Sequence, residues 1–134
     1  MRTGLLSPIR RTVLSMTALA TVAGCWGDVV EPRRDLLVQL ESPNGNEGAA
    51  VIEVVGPGLG EVAAVAGQSF TYVSGDTTRV VILLDSAGPI EFTMRLTGLT
   101  YPGAAVLQVA DSADNLRSLG GYRARVTAGR AAPR

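Results

Sequence analysis

The chain has 134 residues with 12 basic and 12 acidic side chains, so its formal net charge is zero, and 46% of it is hydrophobic. All the basic residues are arginine, histidine is absent, and a single cysteine stands at position 25. That inventory excludes an internal disulfide, a zinc site of cysteine and histidine, and any dyad or triad using histidine or lysine as base; the length allows one modest domain, and the apolar content is far above what disorder requires.

The chain starts with an address. Arg2, Arg10 and Arg11 form a positive first segment, and an uncharged, largely apolar stretch follows from Val13 to Ala23. A membrane-spanning helix needs about 20 apolar residues, so this stretch fits the core of a helical secretory signal instead. It ends in Val22-Ala23-Gly24-Cys25, which resembles the bacterial lipobox: an aliphatic residue, two small ones, then cysteine. The resemblance covers residues 1–25. It implies cleavage between Gly24 and Cys25, diacylglycerol on the Cys25 sulfur and usually a further fatty chain, of the palmitate kind, on its amine. Two or more chains hold a protein stably on a bilayer, where one does so only marginally. Arg10-Arg11 is also similar to a twin-arginine signal, but Ile9 replaces the usual serine or threonine, which favours the general secretory route. Residue 26 is Trp rather than the Asp that tends to retain lipoproteins at an inner membrane, which leans towards the outer one. Loss of residues 1–24 leaves 12 acids against 9 arginines, a net charge of −3.

After the signal (1–24), residues 25–35 read as anchor and tether, residues 36–127 as one folded domain, and residues 128–134 as a loose tail. Within the domain, strand signals dominate. Leu36, Val38 and Leu40 alternate with Leu37, Gln39 and Glu41 over 36–41. Further strands are expected at 49–55, 61–66, 69–73, 79–84 and 104–110. Val80-Val81-Ile82-Leu83-Leu84 is apolar throughout, the pattern of a central strand covered on both faces. Residues 90–96 alternate strictly, with Ile90, Phe92, Met94 and Leu96 on one side and Glu91, Thr93 and Arg95 on the other. Residues 122–127 do the same, with Tyr122, Ala124 and Val126 opposed to Arg123, Arg125 and Thr127. Turns separate the runs at Pro43-Asn44-Gly45, Gly56-Pro57-Gly58, Ser74-Gly75-Asp76, Gly88-Pro89 and Tyr101-Pro102-Gly103. Only 111–119 reads as helical, a single turn capped by Asp111 or Ser112.

These elements predict an all-β fold: a single antiparallel β-sandwich of about eight strands with one short helical turn, preceded by the helical signal. The segment Val54-Val55-Gly56-Pro57-Gly58, with the late runs Ala105–Asp111 and Gly121-Tyr122-Arg123, resembles cohesin-like and immunoglobulin-like sandwiches. That resemblance implies a module that binds protein partners through a sheet face.

Little chemistry is available to the domain. Ser86 lacks the flanking glycine and histidine base of a nucleophile elbow. Gly56-Pro57-Gly58-Leu59-Gly60 has neither the lysine nor the following helix of a phosphate loop. Asp111, Asp114 and Asn115 are weak oxygen ligands for calcium, spaced unlike an EF-hand, and capping is their commoner use. Tyr101, beside a Pro-Gly turn, is the one ring expected to be exposed. Arg95, Arg123 and Arg125 project from the outward faces of two strands; in one sheet they would form a basic patch for an acidic partner, unless paired across strands with Glu41, Glu53 or Glu91. The charge balance disfavours nucleic acid. The expectation is therefore a lipid-anchored protein of the bacterial envelope: no enzyme, no cofactor, and a sandwich that engages an envelope protein or polymer. The alternative is a lipoprotein binding a glycan or calcium at a loop end near Tyr101 and Asp111–Asn115. A small envelope hydrolase, needing two facing carboxylates, is the least favoured reading.

Overall fold

The computed structural model describes residues 27 and 30–129. The expected secretory signal with Gly24, the expected lipidation site Cys25, Trp26, and residues 130–134 of the expected tail lie outside the described residues. Eight strands follow in chain order: β1 (Arg33–Glu41), β2 (Glu47–Val55), β3 (Leu59–Ala64), β4 (Gln68–Ser74), β5 (Thr77–Gly88), β6 (Glu91–Thr97), β7 (Gly103–Ala110) and β8 (Arg123–Ala128). Each coincides with one of the eight runs of alternating or apolar residues. They form two four-stranded sheets, sheet I in the order β3-β6-β1-β8 and sheet II in the order β4-β5-β2-β7. Every pairing is antiparallel.

The two sheets bury their facing stripes in one core. Leu36 and Val38 of β1 and Phe92, Met94 and Leu96 of β6 supply the side of sheet I. Ala50, Ile52 and Val54 of β2, Val80 and Ile82 of β5 and Val109 of β7 supply the side of sheet II. Because side chains alternate along a strand, each inward residue leaves its neighbours facing solvent. The chain changes sheet at every connection except β4–β5, whose Ser74-Gly75-Asp76-Thr77 hairpin has Gly75 at φ 57°. Gly58, at φ 75°, immediately precedes β3; a Cβ there would collide with the carbonyl oxygen of Thr97, so the second glycine of Gly56-Pro57-Gly58 is a packing requirement.

Three expectations change. First, residues 111–119 hold no helix. The Asp111 carboxylate accepts the N–H groups of Ala113 and Asn115, both at 2.9 Å, and Asp114 takes the left-handed region at φ 62°. The segment is a side-chain-closed turn, and it continues into a bridge between Ala110 and Leu116 rather than into helical bonding. Second, β5 is covered on one face only. Among the described residues no further layer packs outside sheet II, so Val81 is half-buried and Leu83 is 42% exposed. Third, β1 begins at Arg33, inside the expected tether, because Arg33, Arg34 and Asp35 pair with Thr97, Leu96 and Arg95.

Candidate functional site

The outer faces of the two sheets differ in chemistry. On sheet I, residues of opposite charge interleave. Arg95 of β6 lies 3.9 Å from Asp35 of β1 and 3.6 Å from Glu61 of β3. Arg125 of β8 lies 3.6 Å from Glu41 of β1. Gln39 donates to Glu91 at 2.8 Å between them. Arg95, Arg123 and Arg125 thus do share a sheet, but β1 runs between β6 and β8 and places Asp35 and Glu41 among them. The result is a mixed-charge lattice and not a basic patch. Of the pairings expected for these three arginines with Glu41, Glu53 or Glu91, Arg125–Glu41 forms; Arg95 pairs instead with Asp35 and Glu61, and Glu53 is taken by Arg79 at 2.9 Å on sheet II.

On sheet II the outward stripe is apolar. One cross-strand row runs Phe70–Val81–Val51–Gln108, and the next runs Gln68–Leu83–Ala49–Ala110. Phe70 is 55% and Tyr72 69% exposed. Leu116, folded back by the 111–117 turn, rims a shallow depression of roughly 200 Å³ over Val51, Val81 and Leu83. Among these strands the single outward charge pair is Arg79–Glu53, near the hairpin end.

The sites expected around Tyr101 and Asp111–Asn115 do not form one loop end. The eight-residue β7 separates them, a span of about 26 Å. Tyr101 stands at the end where β1 begins, with the Arg34 guanidinium 5.8 Å from its ring centre. It lines an open cleft of roughly 540 Å³ with Arg33, Asp35 and Arg95. At the opposite end Asp111 spends its carboxylate on the turn: Oδ1 takes two backbone N–H groups and Oδ2 takes the Asn115 side chain at 3.2 Å. Those bonds, the one from the Asn115 backbone first, hold its carboxyl below the ordinary range. Asp85, Asp111 and Asp114 border a depression of roughly 210 Å³. Among the described residues no three acidic, histidine or cysteine side chains converge as a metal site would require.

One further group has no local signature in the sequence. Glu47, the first residue of β2, is 1% exposed. Its carboxylate accepts from Ser42 Oγ at 2.8 Å, Tyr122 OH at 2.5 Å and Arg117 Nε at 3.3 Å. Asn44 Nδ2 in turn donates to the Tyr122 hydroxyl at 2.8 Å. Burial pushes the Glu47 carboxyl up, but the three donors together outweigh it and hold the group below its ordinary value. Ser42 follows β1 and Tyr122 precedes β8, so the cluster fastens sheet II to sheet I at this end. Both carboxylate oxygens are engaged from inside the protein, Oε1 by Ser42 and Tyr122 and Oε2 by Arg117. Its donors lie 5, 70 and 75 residues away in the chain, so no local pattern marks it.

No protein-family model, curated protein or solved structure matches this chain.

Proposed function

We propose that this chain is a lipid-anchored protein of the bacterial cell envelope whose β-sandwich is a non-catalytic interaction module. The anchor reading rests on residues 1–25, with Cys25 as the acylated residue and the outer membrane favoured by Trp26. Residues 26–32 would then hold the sandwich within about 25 Å of the bilayer. The interaction reading rests on one observation: the contiguous apolar outer face of sheet II, from Phe70 through Val81 and Val51 to Leu83 and Leu116. Contiguous exposed apolar surface rimmed by polar residues marks a contact site. Glu47, the one buried carboxylate among the described residues, has both oxygens held by donors, which suits a structural tie and not an acid or base.

Two measurements test this. The Cys25→Ser variant should lose incorporation of labelled palmitate and leave the membrane fraction; a variant that stays membrane-bound overturns the anchor. A photo-crosslinker at Leu83 in the intact envelope should trap a partner that the same group at Arg123 does not. Equal trapping at the two positions overturns the assignment of the face. A ligand-binding reading has one observation in its favour, the cleft where Tyr101 meets Arg33, Arg34 and Arg95. Titration with an anionic oligosaccharide distinguishes it, since saturable binding abolished by Tyr101→Ala would place the ligand there.

A further inference from the structure

A sandwich of two open sheets has four edge strands, and an unprotected edge is a template for another strand. Three of the four edges here carry a device against pairing. β3 carries Glu61 and an irregular register between Leu59 and Val62. β8 carries Arg123 and Arg125. β7 has a bulge where it pairs with Val51 and Ile52, and its end is capped by the Arg117 N–H bonding the Val109 carbonyl at 2.8 Å. β4 has none of these. Its seven residues, Gln68-Ser69-Phe70-Thr71-Tyr72-Val73-Ser74, include no charge and no proline, and they pair with β5 in unbroken register. Thr71 and Val73 point to the side of sheet I yet are exposed, Val73 by 63%, so β4 projects past that sheet and no described residue pairs with its free edge.

We infer that β4 pairs antiparallel with β4 of a second copy of this chain, joining the two sheets II into one eight-stranded sheet. The strand is self-complementary about Thr71. With Thr71 opposite its own counterpart, Phe70 faces Tyr72 twice, Ser69 faces Val73 twice, and Gln68 faces Ser74 twice. Cross-strand aromatic pairs are among the stabilising ones, and an uncharged strand brings no like charges together. The hydrogen bonding agrees. Counting the antiparallel alternation from the two-residue hairpin at Gly75-Asp76, Tyr72 and Phe70 direct their N–H and C=O groups to β5. Ser69, Thr71 and Val73 direct theirs to the free edge. The two-fold axis runs perpendicular to the joined sheet, which leaves both sheets I on one side of it. Both β1 strands therefore start in the same layer, an arrangement open to two copies tethered to one membrane. The pairing itself does not depend on the anchor.

The test is the mass of the Cys25→Ser chain in solution by sedimentation, beside two variants at the exposed Thr71. The unchanged strand should give twice the single-chain mass. Thr71→Lys and Thr71→Glu should each weaken association at least about tenfold, because identical charges then meet at the centre of the pairing. An equimolar mixture of the two should recover the double mass, since opposite charges then meet. A single-chain mass at concentrations up to about 1 mM overturns the inference, whatever other proteins bind. So does a dimer that both variants leave intact, or one that the mixture fails to restore.

Discussion

The two sheets share a core and differ in what they show to solvent. Sheet I presents two groups of opposite charge, Glu61–Arg95–Asp35 and Arg125–Glu41, the arrangement of a face that stays in water. Sheet II presents Phe70, Val81, Val51 and Leu83, and ends in an edge strand without a charge. Both inward stripes enter one apolar core, which makes both sheets necessary to the fold. The outward stripes carry no such requirement, so their difference reports on surroundings: one face remains solvated, the other is suited to being covered.

The comparison depends on the sheets staying together, and the largest expected effect comes from untying them. Glu47→Ala removes the acceptor shared by Ser42, Tyr122 and Arg117 and should cost about 3 kcal/mol in urea unfolding. Tyr122→Phe keeps the ring in the core but deletes one donor to a buried carboxylate; about 2 kcal/mol is expected by the same measurement. Acid should act in the same direction. Glu47 has a folded-state pKa below its ordinary value of 4.5, so its contribution is complete above that value and is lost as the pH falls through the lowered one. Asp111 shifts the same way from 3.8. Unfolding midpoints should therefore be flat from neutral pH to about 5 and then decline, and Glu47→Gln should flatten the decline.

Changes on the two outer faces should be milder in stability and opposite in association. Leu83→Lys on sheet II should shift stability by about 0.5 kcal/mol or less while abolishing crosslinked partners in the envelope. Arg125→Ala on sheet I should cost between about 0 and 1 kcal/mol, because both members of its ion pair are half exposed, and should leave partner capture unchanged.

Much of the fold was legible in local pattern. Period-2 alternation located β6 and β8 and assigned Phe92, Met94 and Tyr122 to the core, where they are buried. Glycine and proline located the turns. What escaped depends on partners distant in sequence. Asp111 has the sequence context of a helix cap because capping and turn closure use the same side-chain acceptance of N–H groups. Whether the backbone then coils or extends is decided by Val109 and Ala110 already being in a strand that Leu116 and Arg117 can join. The apolar run at 80–84 looked covered on both faces because sequence shows hydrophobicity without showing how many layers surround it. The three arginines do face outward, but the pairing of Arg95 with Asp35 and of Arg125 with Glu41 depends on the strand order, which puts β1 between β6 and β8.

Differential labelling in the intact envelope tests the contrast between the faces most directly. Single cysteines replacing Leu83 on sheet II and Arg123 on sheet I are reacted with a bulky maleimide, in the envelope and again after detergent extraction and dilution. The account predicts that Cys at 83 is protected in the envelope and becomes reactive on extraction, while Cys at 123 reacts equally in both. Equal reactivity of the two positions in the envelope, or protection of 123 alone, would contradict it.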